Sequence, residues 1–164
     1  MNLHWMKSLL GLGSVALWVT AAACGSDPVA LDPQVLDPQV IKEVEFAASL
    51  NIDLAQMEML ANGVYRQDLV VGTGDTLVFG VSAQVGHTGW LSDATVFSSG
   101  PFPFRLGTDP MIPGFEDGIL GMLEGGTRRI IIPPALGYAN DPPPGSGIPQ
   151  GAVLVFEVVL DSVF

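Results

Sequence analysis

At 164 residues the chain is long enough for one domain with appendages, and 48% hydrophobic residues allow it a core. A formal net charge of −11 sets it against nucleic acid and anionic lipid surfaces, which would repel it; its only adjacent cations, Arg128 and Arg129, are expected to be a solvated surface pair. One cysteine excludes an internal disulfide and any multi-cysteine metal site, two histidines lack metalloprotease spacing, and neither a GxSxG elbow nor a phosphate-binding glycine loop occurs, so no metal or cofactor is expected.

Residues 1–23 have the form of a signal peptide: Lys7 precedes an apolar stretch, Leu9 to Ala23, and no acid occurs there. Ala21, Ala22, Ala23, Cys24 and Gly25 follow, which resembles the lipobox of bacterial lipoproteins, although Ala21 stands where leucine is usual. Ala21-x-Ala23 also suits an ordinary signal peptidase, so acylation of Cys24 and simple secretion both stand, with acylation favoured because a lone junction thiol would otherwise be reactive outside the cytoplasm. Any membrane attachment is expected through a lipid at Cys24. Residues 24–40 carry the repeat LDPQV twice, at 31–35 and 36–40, and this proline- and aspartate-rich composition predicts an extended tether. In residues 41–62, Val44, Ala47, Ala48 and Leu50 support a helical turn or two that Asn51 and Asp53 interrupt, predicting an irregular extension packed on the domain.

The domain is assigned to residues 63–164. A strand is expected over Gly63 to Val71 and a turn over Gly72 to Asp75. From Thr76 to Val85 apolar residues alternate in period two, predicting a strand with one covered face, and the same register puts His87 beside Val85 on that face. A hydrogen-bonded core or rim residue is the ordinary account of such a histidine. After a turn at Ser92 and Asp93, TVFSSGPFPFRLG predicts two short strands carrying Phe97, Phe102 and Phe104.

Pro113 suits the first position of a helix, Glu116 and Asp117 its electropositive start, and Gly121 its end, with Phe115, Ile119 and Met122 on one face. The run Ile130 to Ile132 is a strand stopped by Pro133 and Pro134. A stiff loop holding Tyr138 follows, returning through Ile148 into Ala152 to Leu160, where Leu154, Phe156, Val158 and Leu160 define a buried face. Pattern alone therefore predicts an α+β fold, one short helix against a curved antiparallel sheet.

The pieces VGHTGWL, VFSSGPFPFRLG, MIPGFEDGILGM, RRIIIPPALGY and GIPQGAVLVFEVVL, in this order and spacing, resemble the FKBP-type peptidyl-prolyl cis/trans isomerases over residues 63–164. The resemblance implies a half-barrel wrapped around the helix, with a cavity that binds a proline ring. It places pocket aromatics at Phe97, Phe102 and Phe156, apolar floor and walls at Met111, Ile112 and Phe115, a ligand-binding hydroxyl at Tyr138, and a backbone N–H for the ligand carbonyl at Ile148. Three positions depart from the family's pattern. His87 replaces a tyrosine, Ser98 an aspartate usually linked to it across the pocket, and Phe115 a tryptophan; the first two imply weakened turnover and macrolide binding.

The implied activity is isomerisation of proline-containing polypeptides in the bacterial cell envelope by a monomer without cofactor. Phe97, Phe156, Tyr138 and Ile148 would lower the barrier, and His87, Ser98, Phe102, Met111, Ile112 and Phe115 would bind substrate. The alternatives are a binding module or holdase that uses the same cavity without turnover, and a scaffold held by the tether.

Overall fold

The computed structural model describes residues 40–164. The segment expected to be a signal peptide, Cys24 and nearly all of the LDPQV repeat lie outside the described residues. Six strands, β1 (Glu58–Met59), β2 (Tyr65–Val70), β3 (Ser82–Leu91), β4 (Val96–Arg105), β5 (Thr127–Ile132) and β6 (Leu154–Val163), form one antiparallel sheet in the order β1-β2-β5-β6-β3-β4. Register shifts at Asp68/Val70, Gln84/Val85 and Gly89/Trp90 bend it. The single α-helix among the described residues, α1 (Pro113–Ile119), lies in the concave face, as the half-barrel expectation requires.

Helix α1 begins on Pro113, whose missing N–H costs nothing in the first turn, and Gly121 takes φ +78° just beyond its end. Its close seat on β5 depends on two glycines one turn apart. A Cβ at Gly114 would stand 2.3 Å from Ile132 Cγ2, and one at Gly118 would stand 2.5 Å from Ile130 Cγ2. Phe115, Ile119 and Met122 all turn into the main core with Ile130, Ile132, Leu154, Val158 and Leu160.

A second, smaller core covers the back of the sheet. There Ile41, Leu50 and Met57 pack on Tyr65, Ile131, Val153 and Val155, so the upper part of β6 is covered on both faces while Val159 farther along is exposed. Residues 40–57 supply this cover through three short 3-10 turns, Val40–Glu43, Ala48–Leu50 and Leu54–Gln56. Asn51 ends the second in the left-handed region (φ 48°), and Asp53 begins the third by accepting from the Ala55 N–H at 3.0 Å. The extension thus packs on the face opposite the helix.

Three sequence expectations are corrected. The alternation from Thr76 to Val85 is not one strand: β3 starts only at Ser82. Leu77 is tied to the segment after α1 (its N–H to Met122 O, its C=O to Gly121 N–H), and the chain turns at Val78–Val81 with Gly80 at φ +82°. Period two records which side chains face the core, and here an inward Leu77 and an inward Ala83 belong to separate segments.

The stretch around Phe97 to Phe104 is one ten-residue strand, β4, and not two; Gly100 at φ +130° absorbs its bend. Pro101 and Pro103 are tolerated because β4 is the sheet edge.

Arg128 and Arg129 are not a solvated pair. Neighbours on a strand face opposite ways, so Arg128 turns inward and is only 5% exposed, while Arg129 turns to the back and pairs with Glu157 at 3.0 Å.

Candidate functional site

Beyond Val85 the inward side of β3 borders a hollow in the concave face before Leu91 returns to the core. His87 faces it, Gly89 follows, and opposite Gly89 on the neighbouring strands stand Phe156 and Ser98. The register shift between Gly89 and Trp90 lets two consecutive residues of β4, Phe97 and Ser98, both reach the hollow. A Cβ at Gly89 would lie 2.7 Å from Phe97 Cζ and 2.8 Å from Phe156 Cε1, so only glycine leaves room for those rings. The result is a cavity of about 300 Å³, open on one side.

Its floor is aromatic. Phe156 meets Phe97 edge to face at 5.4 Å and Phe115 at 5.1 Å. The His87 ring stands 6.3 Å from Phe102 and 6.5 Å from Phe115, edge-on to both. The stretch leading into α1 contributes Met111 and Ile112, and the long loop between β5 and β6 contributes Tyr138 and Ile148. All ten residues assigned to the pocket from sequence therefore line the same cavity. Pro110, Pro143 and Ser146 line it too and were not anticipated, although Pro143 and Ser146 lie inside the loop expected to form the rim.

The polar groups are few. His87 Nε2 lies 2.8 Å from Ser98 Oγ, so the two residues standing where the resemblance implied a tyrosine linked to an aspartate are joined across the pocket. His87 Nδ1 is buried without a partner. Burial holds the histidine pKa below its usual 6.5, with the neighbouring Gly100 backbone pulling less strongly the other way. The Ile148 N–H donates to Ser146 Oγ at 3.3 Å. The Ile112 N–H, at the N-terminal boundary of α1, and the Tyr138 hydroxyl make no hydrogen bond to another described residue. Among the described residues no group of three His, Cys, Asp or Glu is placed to hold a metal, and no helix is long and apolar enough to cross a membrane.

Residues 73–161, more than half of the chain, match the sequence model of the FKBP-type peptidyl-prolyl cis-trans isomerases. The chain belongs to this family. Among its FKBP-type relatives, it is 38% identical over 109 residues to an FK506-binding protein of Neisseria meningitidis, a match that covers 62% of this chain and 97% of that protein. It is 48% identical over 79 residues to the human peptidyl-prolyl cis-trans isomerase FKBP2, covering 45% of this chain and 55% of the relative. The match to FK506-binding protein 3 of Candida albicans, 39% identical over 108 residues, takes in 63% of this chain but spans only 25% of that longer protein.

In solved structures the same FKBP-type architecture recurs. FkpA from Escherichia coli superposes with a TM-score of 0.63 at 27% identity, over 77% of this chain and 57% of that one. AtFKBP13 does so with a TM-score of 0.60 at 30% identity, over 65% and 97%.

Proposed function

We infer that this FKBP-type domain is a peptidyl-prolyl cis/trans isomerase acting on proline-containing polypeptides of the cell envelope. The observation that carries this is the open cavity floored by Phe97, Phe115 and Phe156, walled by Phe102, Met111 and Ile112, with hydroxyl and amide donors at its rim. Rotation about an X-Pro bond faces about 18–20 kcal/mol because the C–N bond has partial double-bond character. The planar imide is the more charge-separated form, so water favours it, and an apolar cavity removes that preference. Each 1.36 kcal/mol of differential stabilisation gives about tenfold in rate.

Substrate positioning then falls to the donors. The Tyr138 hydroxyl is free to bind a carbonyl oxygen. Of the lining residues Ile112 and Ile148, Ile148 donates its N–H to Ser146 Oγ while the Ile112 N–H has no partner among the described residues, so the Ile112 N–H is the freer to take a substrate carbonyl and Ile148 must first give up Ser146.

Acceleration of a proline-limited refolding reaction by the purified chain, reduced by Tyr138→Ala, is the expected result. Rates equal to buffer reject catalysis; suppression of client aggregation without isomerisation would select the holdase reading instead. Acylation of Cys24 after removal of residues 1–23 would hold the domain at a membrane surface, each buried methylene adding roughly 0.8 kcal/mol. Mass spectrometry of the mature N-terminus tests it, and an unmodified Cys24 removes the anchor.

A further inference from the structure

We propose that the mouth of the cavity selects X-Pro segments flanked by lysine or arginine, and that Asp109 and Asp141 set this preference. It rests on the cavity being the substrate site of the isomerase.

The interior of the cavity carries no formal charge. Apart from His87 its lining is apolar or hydroxylic, and burial lowers the His87 pKa from 6.5, so the ring is neutral at pH 7. Discrimination by charge must therefore come from residues that border the opening. Two carboxylates belong to that border. Asp109 is the chain neighbour of Pro110 and Asp141 stands two residues before Pro143, and both prolines line the cavity. Both aspartates are exposed and tied down by main-chain bonds: Asp109 Oδ2 accepts from the Arg105 N–H at 2.7 Å, and the Asp141 N–H donates to the Tyr138 carbonyl at 2.9 Å.

No cation offsets them. The salt bridges among the described residues, Arg66–Glu58, Arg128–Asp68 and Arg129–Glu157, use neither aspartate. Lys42 lies in the extension behind the sheet, and Arg105, the one remaining arginine, turns its Nε to the Gly80 carbonyl at 2.8 Å. The acids of α1 are engaged elsewhere, Glu116 with the Gly107 N–H and Asp117 with Asn62. An opening bordered by one sign of charge over apolar walls concentrates its field on what enters. The cavity receives the X-Pro unit, so a side chain on either flank lies at the mouth, where a cation is attracted while still hydrated and a glutamate is repelled.

Blocked peptides Lys-Leu-Pro-Lys, Gln-Leu-Pro-Gln and Glu-Leu-Pro-Glu, turned over by the whole chain and followed by exchange NMR, test this. At about 20 mM ionic strength kcat/KM is expected to be about tenfold higher for the lysine peptide than for the glutamate peptide, falling to about twofold at about 0.5 M. Asp109→Asn combined with Asp141→Asn is expected to cut the low-salt ratio to about threefold or less, and asparagine can still accept from the Arg105 N–H. Glu43→Gln combined with Glu45→Gln removes the same charge from the exposed surface of the extension, on the opposite face, and is expected to leave the ratio at the parent value. A ratio near one in a catalysing parent, an unchanged ratio in the aspartate variant, or an equal loss in both variants overturns the preference. If the parent turns over none of the peptides, the isomerase reading fails by itself. Calorimetric affinities then test the mouth alone: tighter binding of the lysine peptide that is lost in the aspartate variant supports it, and absent binding or affinities indifferent to charge overturn it.

Discussion

Arg128 grips Asp68 with both arms of its guanidinium, Nε to Oδ1 at 2.6 Å and Nη2 to Oδ2 at 3.1 Å, and turns Nη1 onto the carbonyls of Gly118 and Leu120 at 3.0 and 3.1 Å. One side chain thus ties β2 to β5 and satisfies the last carbonyls of α1, where a cation is also favoured by the helix dipole. The Arg128 side chain is 7% exposed and that of Asp68 42% exposed. The two partners should therefore not be equivalent. Arg128→Met is expected to cost about 2–3 kcal/mol, since it orphans the Gly118 carbonyl and leaves Leu120 O only the longer bond from Arg66 Nη1 at 3.4 Å, and Asp68→Asn about 1 kcal/mol, since water can replace much of what it supplies. Urea unfolding of both variants measures the difference; equal losses would show that the carbonyl contacts contribute little.

Gly89 is the position at which the cavity is most sensitive to one added carbon. A methyl group there collides with Phe97 and Phe156 at 2.7 and 2.8 Å, and both rings belong to the floor. Gly89→Ala is expected to lower kcat/KM by about tenfold or more through displaced rings, with a smaller stability loss of about 1–3 kcal/mol as they shift. Parallel refolding-assay and urea measurements check it. Unchanged catalysis would mean that the Phe97–Phe156 pair does not shape the substrate.

His87 gives the domain a pH dependence of predictable sign. Its folded pKa lies below the unfolded value of 6.5 because burial disfavours the charged ring. Between these two values the unfolded chain binds more protons than the folded one, so stability rises with pH across that window and is lost as pH falls through it. His87 is the sole histidine among the described residues. The urea midpoint of the parent should fall on acidification from pH 7 toward 5.5, and His87→Gln should flatten that slope; an unaltered slope would assign the effect to carboxylates.

Ile41 separates stability from function. It is fully buried against the back of the sheet with Tyr65, Ile131, Val153 and Val155, on the face away from the cavity. Ile41→Ala should cost about 2–4 kcal/mol by leaving a void, while kcat/KM below the unfolding transition stays at the parent level. A loss of catalysis in fully folded Ile41→Ala would mean that the extension acts through the sheet on the cavity.

Elements whose cause is local could be read along the chain. Alternation at Leu154, Phe156, Val158 and Leu160 made β6, proline and glycine punctuation bounded α1, and the register through Val85 put His87 on the inner face. Sterics and side-chain period act over a few residues and can be followed along the chain.

Other features depend on residues far apart in the chain and emerge only on folding. Arg128 lies 60 positions from Asp68, and nothing in the doublet Arg128-Arg129 tells which arginine is swallowed by the core and which stays at the back. The unbroken alternation through Thr76–Val85 gave no sign that Leu77 pairs with the segment after α1, because the choice of strand partner is set by non-local register. The bond from His87 to Ser98 exists because the β3–β4 ladder sets Ser98 opposite Gly89, the next inward position after His87, and the register shift just beyond brings Phe97 to the same hollow. Only the folded sheet could bring those groups to one cavity, since each is positioned by strand pairings that form across the whole domain.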